Sequence, residues 1–295
     1  MNLQGELAAL AAAFLWALAS VVYGRIGQQV PPLGLNFSKG IIAIALIVAT
    51  LLLQGDTVPA INSSSLGLLL LSGVVGIGLG DTVYFEALRA LGARRALLLE
   101  ALAPPITSVL ALVFLQEILG PGAWLGIVLT VAGVAWVIGE RLPDTPVHLA
   151  HPLRGVGFGL LAAVAQAGGA VLSRAALAGS DINPLWAALF RISAGVLILL
   201  VWGLARHQLG HWFKGLYAKQ LLTALVLAAI GGTYLGIWLQ QIALKYTAAG
   251  IAQTLTATSP LFVLPIAAAM GDVVSMRAVL GVLVAVGGIA LLFSI

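Results

Sequence analysis

DTVYFEALRALGARRALLLEALAPP, residues 81–105, decides how the rest of the chain is read. It carries two carboxylates, Asp81 and Glu100, inside segments apolar enough to sit in lipid, and a double proline, Pro104-Pro105, in mid-segment. The pattern returns at an offset of 156 as IWLQQIALKYTAAGIAQTLTATSPL, residues 237–261. Ala87, Leu88 and Arg89 then fall on Ala243, Leu244 and Lys245, Ala96 on Ala252, Leu99 on Leu255, and Pro104 on Pro260. A costly polar group, a helix breaker and an internal duplication therefore meet in one place.

Working outward, the duplication spans the chain. Residues 32–39 match 184–191 at an offset of 152, which places Lys39 on Arg191. Gly76 and Gly80 fall on Gly232 and Gly236, and at an offset of 155 Glu117 falls on Asp272, Gly126 on Gly281 and Gly133 on Gly288. Register held over five segments is more than chance supplies. The halves predicted are residues 1–140 and 153–295, joined by a linker over 141–152.

The medium follows from composition. Hydrophobic residues make up 61% and charged residues 8%, with a mean hydropathy of +1.10, whereas a soluble globule carries about 25% charge. A helix needs about twenty apolar residues to cross the hydrocarbon core. On that ruler ten spans are predicted, near 4–24, 34–54, 66–87, 94–115, 121–139, 153–175, 184–205, 220–243, 248–270 and 276–294. Lipid leaves no partner for an unpaired backbone group, so the spans are helices. The fold class expected is all-α integral membrane, ten transmembrane helices as two inverted five-helix repeats. The inversion follows from the odd number: a second copy of five spans starts on the opposite face of the bilayer, the architecture of alternating-access carriers.

Several classes are excluded or disfavoured. A net charge of +4 with no dense basic run argues against a nucleic-acid partner. The chain has no cysteine, no phosphate-binding loop and no hydrolase motif. No cofactor and no metal are expected. His207 and His211 have metal-compatible spacing but belong to a hydrophilic connection. A membrane transferase using Asp81 and Glu100 as an acid–base pair, and a passive channel, are the competing classes. The first lacks an acidic metal cluster; the second needs a polar stripe through the membrane, whereas polarity here gathers near one depth.

Lys39, Asp81 and Glu100 are predicted roughly 6–8 Å from the midplane at helical rise, where a charge costs about 2.5 kcal/mol or more and faces a partner or water. Two readings stand side by side: a buried ion pair that fixes packing, or a site for a charged substrate or a coupling proton. Three charges leave one carboxylate over, and Glu100, one turn before the proline, is the better candidate. Pro104 and Pro260 each free a carbonyl four residues earlier, an ordinary kink or a means of exposing a ligand. The second half offers Arg191, Trp238, Gln241, Thr254 and Thr258, and Trp16 and Gln166 occupy equivalent central places in spans one and six. Threonines in such helices often bond only to their own backbone. Tyr23, Tyr84 and Trp186 read as interfacial anchors. Gly126, Gly133, Gly281 and Gly288 lie on one stripe in spans five and ten, a scaffold for close packing.

These residues give the chain its resemblance. It is similar to the ten-span EamA-type members of the drug/metabolite transporter superfamily, through residues 84–104 with Phe114–Glu117 in the first half and residues 239–260 with Met270–Asp272 in the second. The resemblance covers nearly all 295 residues. It implies a basket with a central cavity lined by spans one to four and six to nine, spans five and ten as supports, and export or exchange of amino acids, other metabolites or drugs. Many such proteins carry Gly-Glu after spans four and nine, where this chain has Gln116-Glu117 and Gly271-Asp272, read as a structural helix-end feature. The resemblance places both termini in the cytoplasm. The positive-inside rule places them outside, with two basic residues on N-terminal-side connections against ten on the others. The expectation is a bacterial inner-membrane carrier of a small organic molecule, amino-acid-like or alternatively a cationic drug exchanged for protons. Its partners are substrate, bilayer and, where transport is coupled, a proton, with a monomer sufficient.

Overall fold

The computed structural model describes residues 3–27, 29–91, 93–139, 152–212, 218–262 and 275–294. The linker except Pro152, and the Met270–Asp272 motif, lie outside them. In chain order the helices are α1 (Gln4–Ile26), α2 (Pro32–Gln54), α3 (Ser63–Ser72), α4 (Thr82–Leu91), α5 (Ala93–Glu100), α6 (Ala103–Leu115) and α7 (Pro121–Gly139) in the first half. The second half holds α8 (Pro152–Leu177), α9 (Pro184–Ala205), α10 (Leu209–Trp212), α11 (Lys219–Ala228), α12 (Gly236–Tyr246), α13 (Ala249–Thr256) and α14 (Met276–Phe293). Two π-helical segments, Gly73–Asp81 and Ala229–Leu235, join α3 to α4 and α11 to α12. Among the described residues nine helices are long and apolar enough to cross a membrane. The span expected over 248–270 is described only as far as residue 262.

Local sequence sets the helix ends. Pro32 and Pro184 open α2 and α9, in corresponding places of the two copies, where a missing N–H costs nothing. Asn62 and Asn183 accept backbone N–H bonds at the starts of α3 and α9. Gly55 closes α2 with φ 69°, a left-handed cap that glycine adopts without strain. Both proline sites break their helices. α5 ends at Glu100 and α6 restarts at Ala103, while α13 ends at Thr256 and Pro260 falls in the restarted turn.

Large apolar side chains point outward: Leu53 is 89% exposed and Phe114 70%. The interior is built instead of alanine and glycine, with Ala9, Ala12, Ala13, Ala162, Ala163, Ala167 and Ala170 fully enclosed. Lipid tails satisfy leucine as well as a protein core does, so small residues are kept for helix crossings. The main cluster runs from Ala8 in α1 through α3, α6, α8 and α9 to Leu255 in α13, so the two repeats share one core. The supports pack on each other: at Gly133 a Cβ would lie 2.6 Å from the Gly281 carbonyl, and at Gly288 2.7 Å from that of Gly126. α7 and α14 thus meet backbone to backbone along the glycine stripe.

The π segments sit at matching positions of the repeats, because residues 73–79 fall on 229–235 at the 156 offset. Wide turns spoil the backbone ladder, and neighbouring helices supply donors to it. Asn36 Nδ2 donates to the Ile77 carbonyl (2.9 Å), and Trp16 Nε1 donates to the Gly232 carbonyl (2.7 Å). Glycines make the approach possible: a Cβ at Gly73 would collide with the Arg191 backbone carbonyl, and one at Gly236 would lie 2.5 Å from Trp16 Nε1.

Candidate functional site

The site is built where α2, the first π segment and α8 meet. Asp81 is the last residue of that π segment. Its Oδ2 receives Lys39 Nζ at 2.5 Å and its Oδ1 receives Gln166 Nε2 at 2.9 Å. One carboxylate thus ties two helices of the first repeat to α8 of the second. Lys39 is buried and Asp81 nearly so. The ammonium also lies 5.8 Å from the Tyr23 ring centroid and 5.4 Å from that of Phe85, a favourable arrangement for a desolvated cation.

Glu100 is the carboxylate left over. Among the described residues no donor or cation bonds to it, though the charges of Asp81 and Lys39 both reach it. Its side chain is half-buried. The Glu100 carboxylate stands at the end of α5, directly before the helix break.

The second repeat solves the same problem differently. Arg191 occupies the position of Lys39, is 2% exposed, and donates from Nη1 to Gln240 Oε1 at 2.7 Å. Its Nε has no acceptor among the described residues. The residue equivalent to Asp81 is Ile237, so Arg191 has no ion-pair partner among the described residues. Gly76 of the first π segment and Gly169 of α8 lie against its Nη2, and the charge of Asp81 reaches it. Asp81 is thus the charge common to the surroundings of Glu100 and Arg191.

The other residues singled out in the sequence are placed as follows. Trp16 and Gln166 hold matching roles, each binding the wide-turn segment of the opposite repeat. Thr254 and Thr258 are wholly buried, and their hydroxyls donate to the Gly250 and Leu255 carbonyls of their own helix. Packing explains both. Gln241 is also wholly buried, and neither amide atom has a partner among the described residues. Trp238 stacks on Tyr234 at 6.1 Å, whose hydroxyl meets Thr50 of α2. The carbonyl of Thr256, expected to be free, accepts the Ser259 hydroxyl; the Glu100 carbonyl has no corresponding partner among the described residues. Tyr23 and Tyr84 correct the anchor reading. Tyr23 bonds Thr233 of the second π segment at 2.8 Å and faces Lys39, and Tyr84, half-buried, lies against Phe85, which itself faces Lys39. An aromatic residue near a span end has the same sequence signature in either place.

Sequence reading missed two groups. Ser72, Ser173 and the Gly169 carbonyl form a buried hydroxyl chain between α3 and α8. Glu117, beyond the end of α6, receives Arg174 Nε on Oε1 at 2.5 Å and the Ala249 N–H on Oε2 at 2.8 Å. The serines carry no signal in the sequence, and Glu117 reads there only as a structural helix-end feature, without its partners.

A family model for the EamA-like transporter family matches residues 3–139 and 153–294. The chain belongs to that family, and is a multi-pass membrane protein that transports small molecules. A solved structure titled only "Crystal structure of protein" superposes with a TM-score of 0.79 at 20% identity, over 99% of this chain and 96% of that one. At that identity it shows the shared fold. No curated protein matches the sequence.

Proposed function

We propose that the chain carries amino acids or closely related metabolites across a bacterial inner membrane, its two repeats rocking about the Lys39–Asp81–Gln166 cluster. One observation carries this reading: among the described residues a buried cation, Arg191, has no carboxylate partner and a carboxylate, Glu100, has no cation bonded to it, and the Lys39–Asp81 pair stands near both. Each is costly unpaired in a low-dielectric interior, and a molecule bearing both charges relieves both. Its acid group would pair with Arg191 and its ammonium with Glu100. Lys39 and Asp81 neutralise each other and hold the π segment in place. A monomer holds the whole set.

The test is a thermal-shift screen of purified protein against amino acids, sugars, nucleosides and cationic drugs, followed by counterflow in liposomes. Amino acids stabilise the wild type, and Arg191→Gln and Glu100→Gln each abolish the response. A second reading rests on Glu100 alone: its unpaired carboxylate suits efflux of cationic or lipophilic drugs in exchange for protons. In that case cationic drugs stabilise the protein, Arg191→Gln transports normally, and Glu100→Gln does not.

A further inference from the structure

We infer that Glu117 and Arg174 form the gate of the N-terminal face, a latch that breaks each time the carrier opens there. This goes beyond the substrate reading but rests on the rocking of repeats. The helix-end carboxylate expected to be structural stands at a junction of both repeats. Glu117 follows α6, from the first; Arg174 lies in the last turn of α8, and Ala249 opens α13, both from the second. Besides its bond to Glu117, Arg174 Nη1 donates to the Leu244 and Lys245 carbonyls, at 3.0 and 2.8 Å, where α12 ends. The carboxylate thus meets the N-terminus of α13 and the guanidinium meets the C-terminus of α12, each favoured by helix-end charge. Both side chains are 16% exposed.

The surrounding contacts lie on the same face. Lys245 Nζ donates to the Ile182 carbonyl, Asn183 donates to Asp56, and Gly5 at the start of α1 sits against Thr247. Just inside, α6 and α13 cross so closely that a Cβ at Gly250 would lie 2.9 Å from Ser108 Cβ. Separating the repeats on this face has to break the Arg174–Glu117 pair and the Ala249–Glu117 bond together. The Lys39–Asp81 pair is of a different kind, because both residues belong to the first repeat. Rocking can leave that pair intact, which makes Glu117–Arg174 the bond that reports which face is shut.

The chain has no cysteine, so single cysteines can report sidedness. Ser108 lies nine residues before Glu117, packed against Gly250 just inside the latch, and is 1% exposed; Ser108→Cys is therefore the probe. In proteoliposomes a membrane-impermeant maleimide is applied to the side that labels an exposed Asp181→Cys control. We expect labelling of the probe from that side to rise at least tenfold in Glu117→Gln and in Arg174→Gln, and to return toward the parent rate in Glu117→Asp. A role in stability alone would lower the melting temperature without changing the labelling. Unchanged labelling in both folded variants overturns the latch; if neither variant folds, failure of the milder Ala249→Pro, which removes the N–H bonded to Glu117, to raise labelling does so. The labelling needs no substrate. A silent amino-acid counterflow assay therefore counts against the proposed substrate, and unchanged labelling against the latch alone.

Discussion

The two repeats place a buried cation at the same position and stabilise it in different ways. Lys39 has Asp81, and that carboxylate has a second donor in Gln166. Arg191 has a neutral amide on one nitrogen and, among the described residues, nothing on another. The first copy is a closed unit, whereas the second keeps a guanidinium nitrogen without an acceptor among the described residues. A lysine suits the first role as a compact point charge, and an arginine the second because its planar donor fork matches a carboxylate. The repeats thus share a scaffold and differ in how they hold the buried cation.

The comparison is most exposed to failure at Lys39. Lys39→Met strands Asp81, and breaking a buried pair from one side costs about 3–5 kcal/mol; urea unfolding of the detergent-solubilised protein is expected to show a loss of that size. The double change Lys39→Met with Asp81→Leu is expected to recover most of it, since replacing both charges leaves no uncompensated ion. Full stability in the single variant would mean that the pair does not hold the first repeat together.

A smaller effect is expected at Arg191. Arg191→Gln removes a charged hydrogen bond worth about 1.5–3 kcal/mol, and amino-acid affinity by calorimetry is expected to fall at least tenfold. Ile237→Asp sharpens the contrast by giving the second repeat the carboxylate of the first. Its expected outcome is an amino-acid affinity as low as that of Arg191→Gln, because the guanidinium now has a resident partner. Undiminished binding in that variant would show that Arg191 is not the acceptor of the acid group. Glu100→Gln is expected to shift stability least, within about 1 kcal/mol, as no protein donor is orphaned; a loss comparable to that of Lys39→Met would reveal a partner for Glu100.

Much of this was legible beforehand. Repeats, spans and proline breaks follow from chain-local chemistry. Which carboxylate takes the lysine could be narrowed to two but no further, because the choice depends on the rotation of one helix against another. The wide turns were invisible for a related reason: Gly73–Asp81 reads as an ordinary glycine-rich span, and the donors to the two π segments, Asn36 and Trp16, come from elsewhere in the chain. The same holds for Glu117 and Arg174, separated by 57 residues, which local reading could treat only as end charges. Thr254 and Thr258 looked available in sequence because a hydroxyl bonded to its own helix reads like a free one.

The wide turns also act as splines that set the angular phase of the helices following them. An extra residue in one circuit turns everything beyond it by about 100° relative to an unbroken α-helix. Asp81 closes the first such circuit, so its aim at Lys39 is a property of the count of residues before it as much as of its own identity. Deleting one residue between 74 and 79 would leave every charge in the chain present and steer the carboxylate toward a different wall of the bundle.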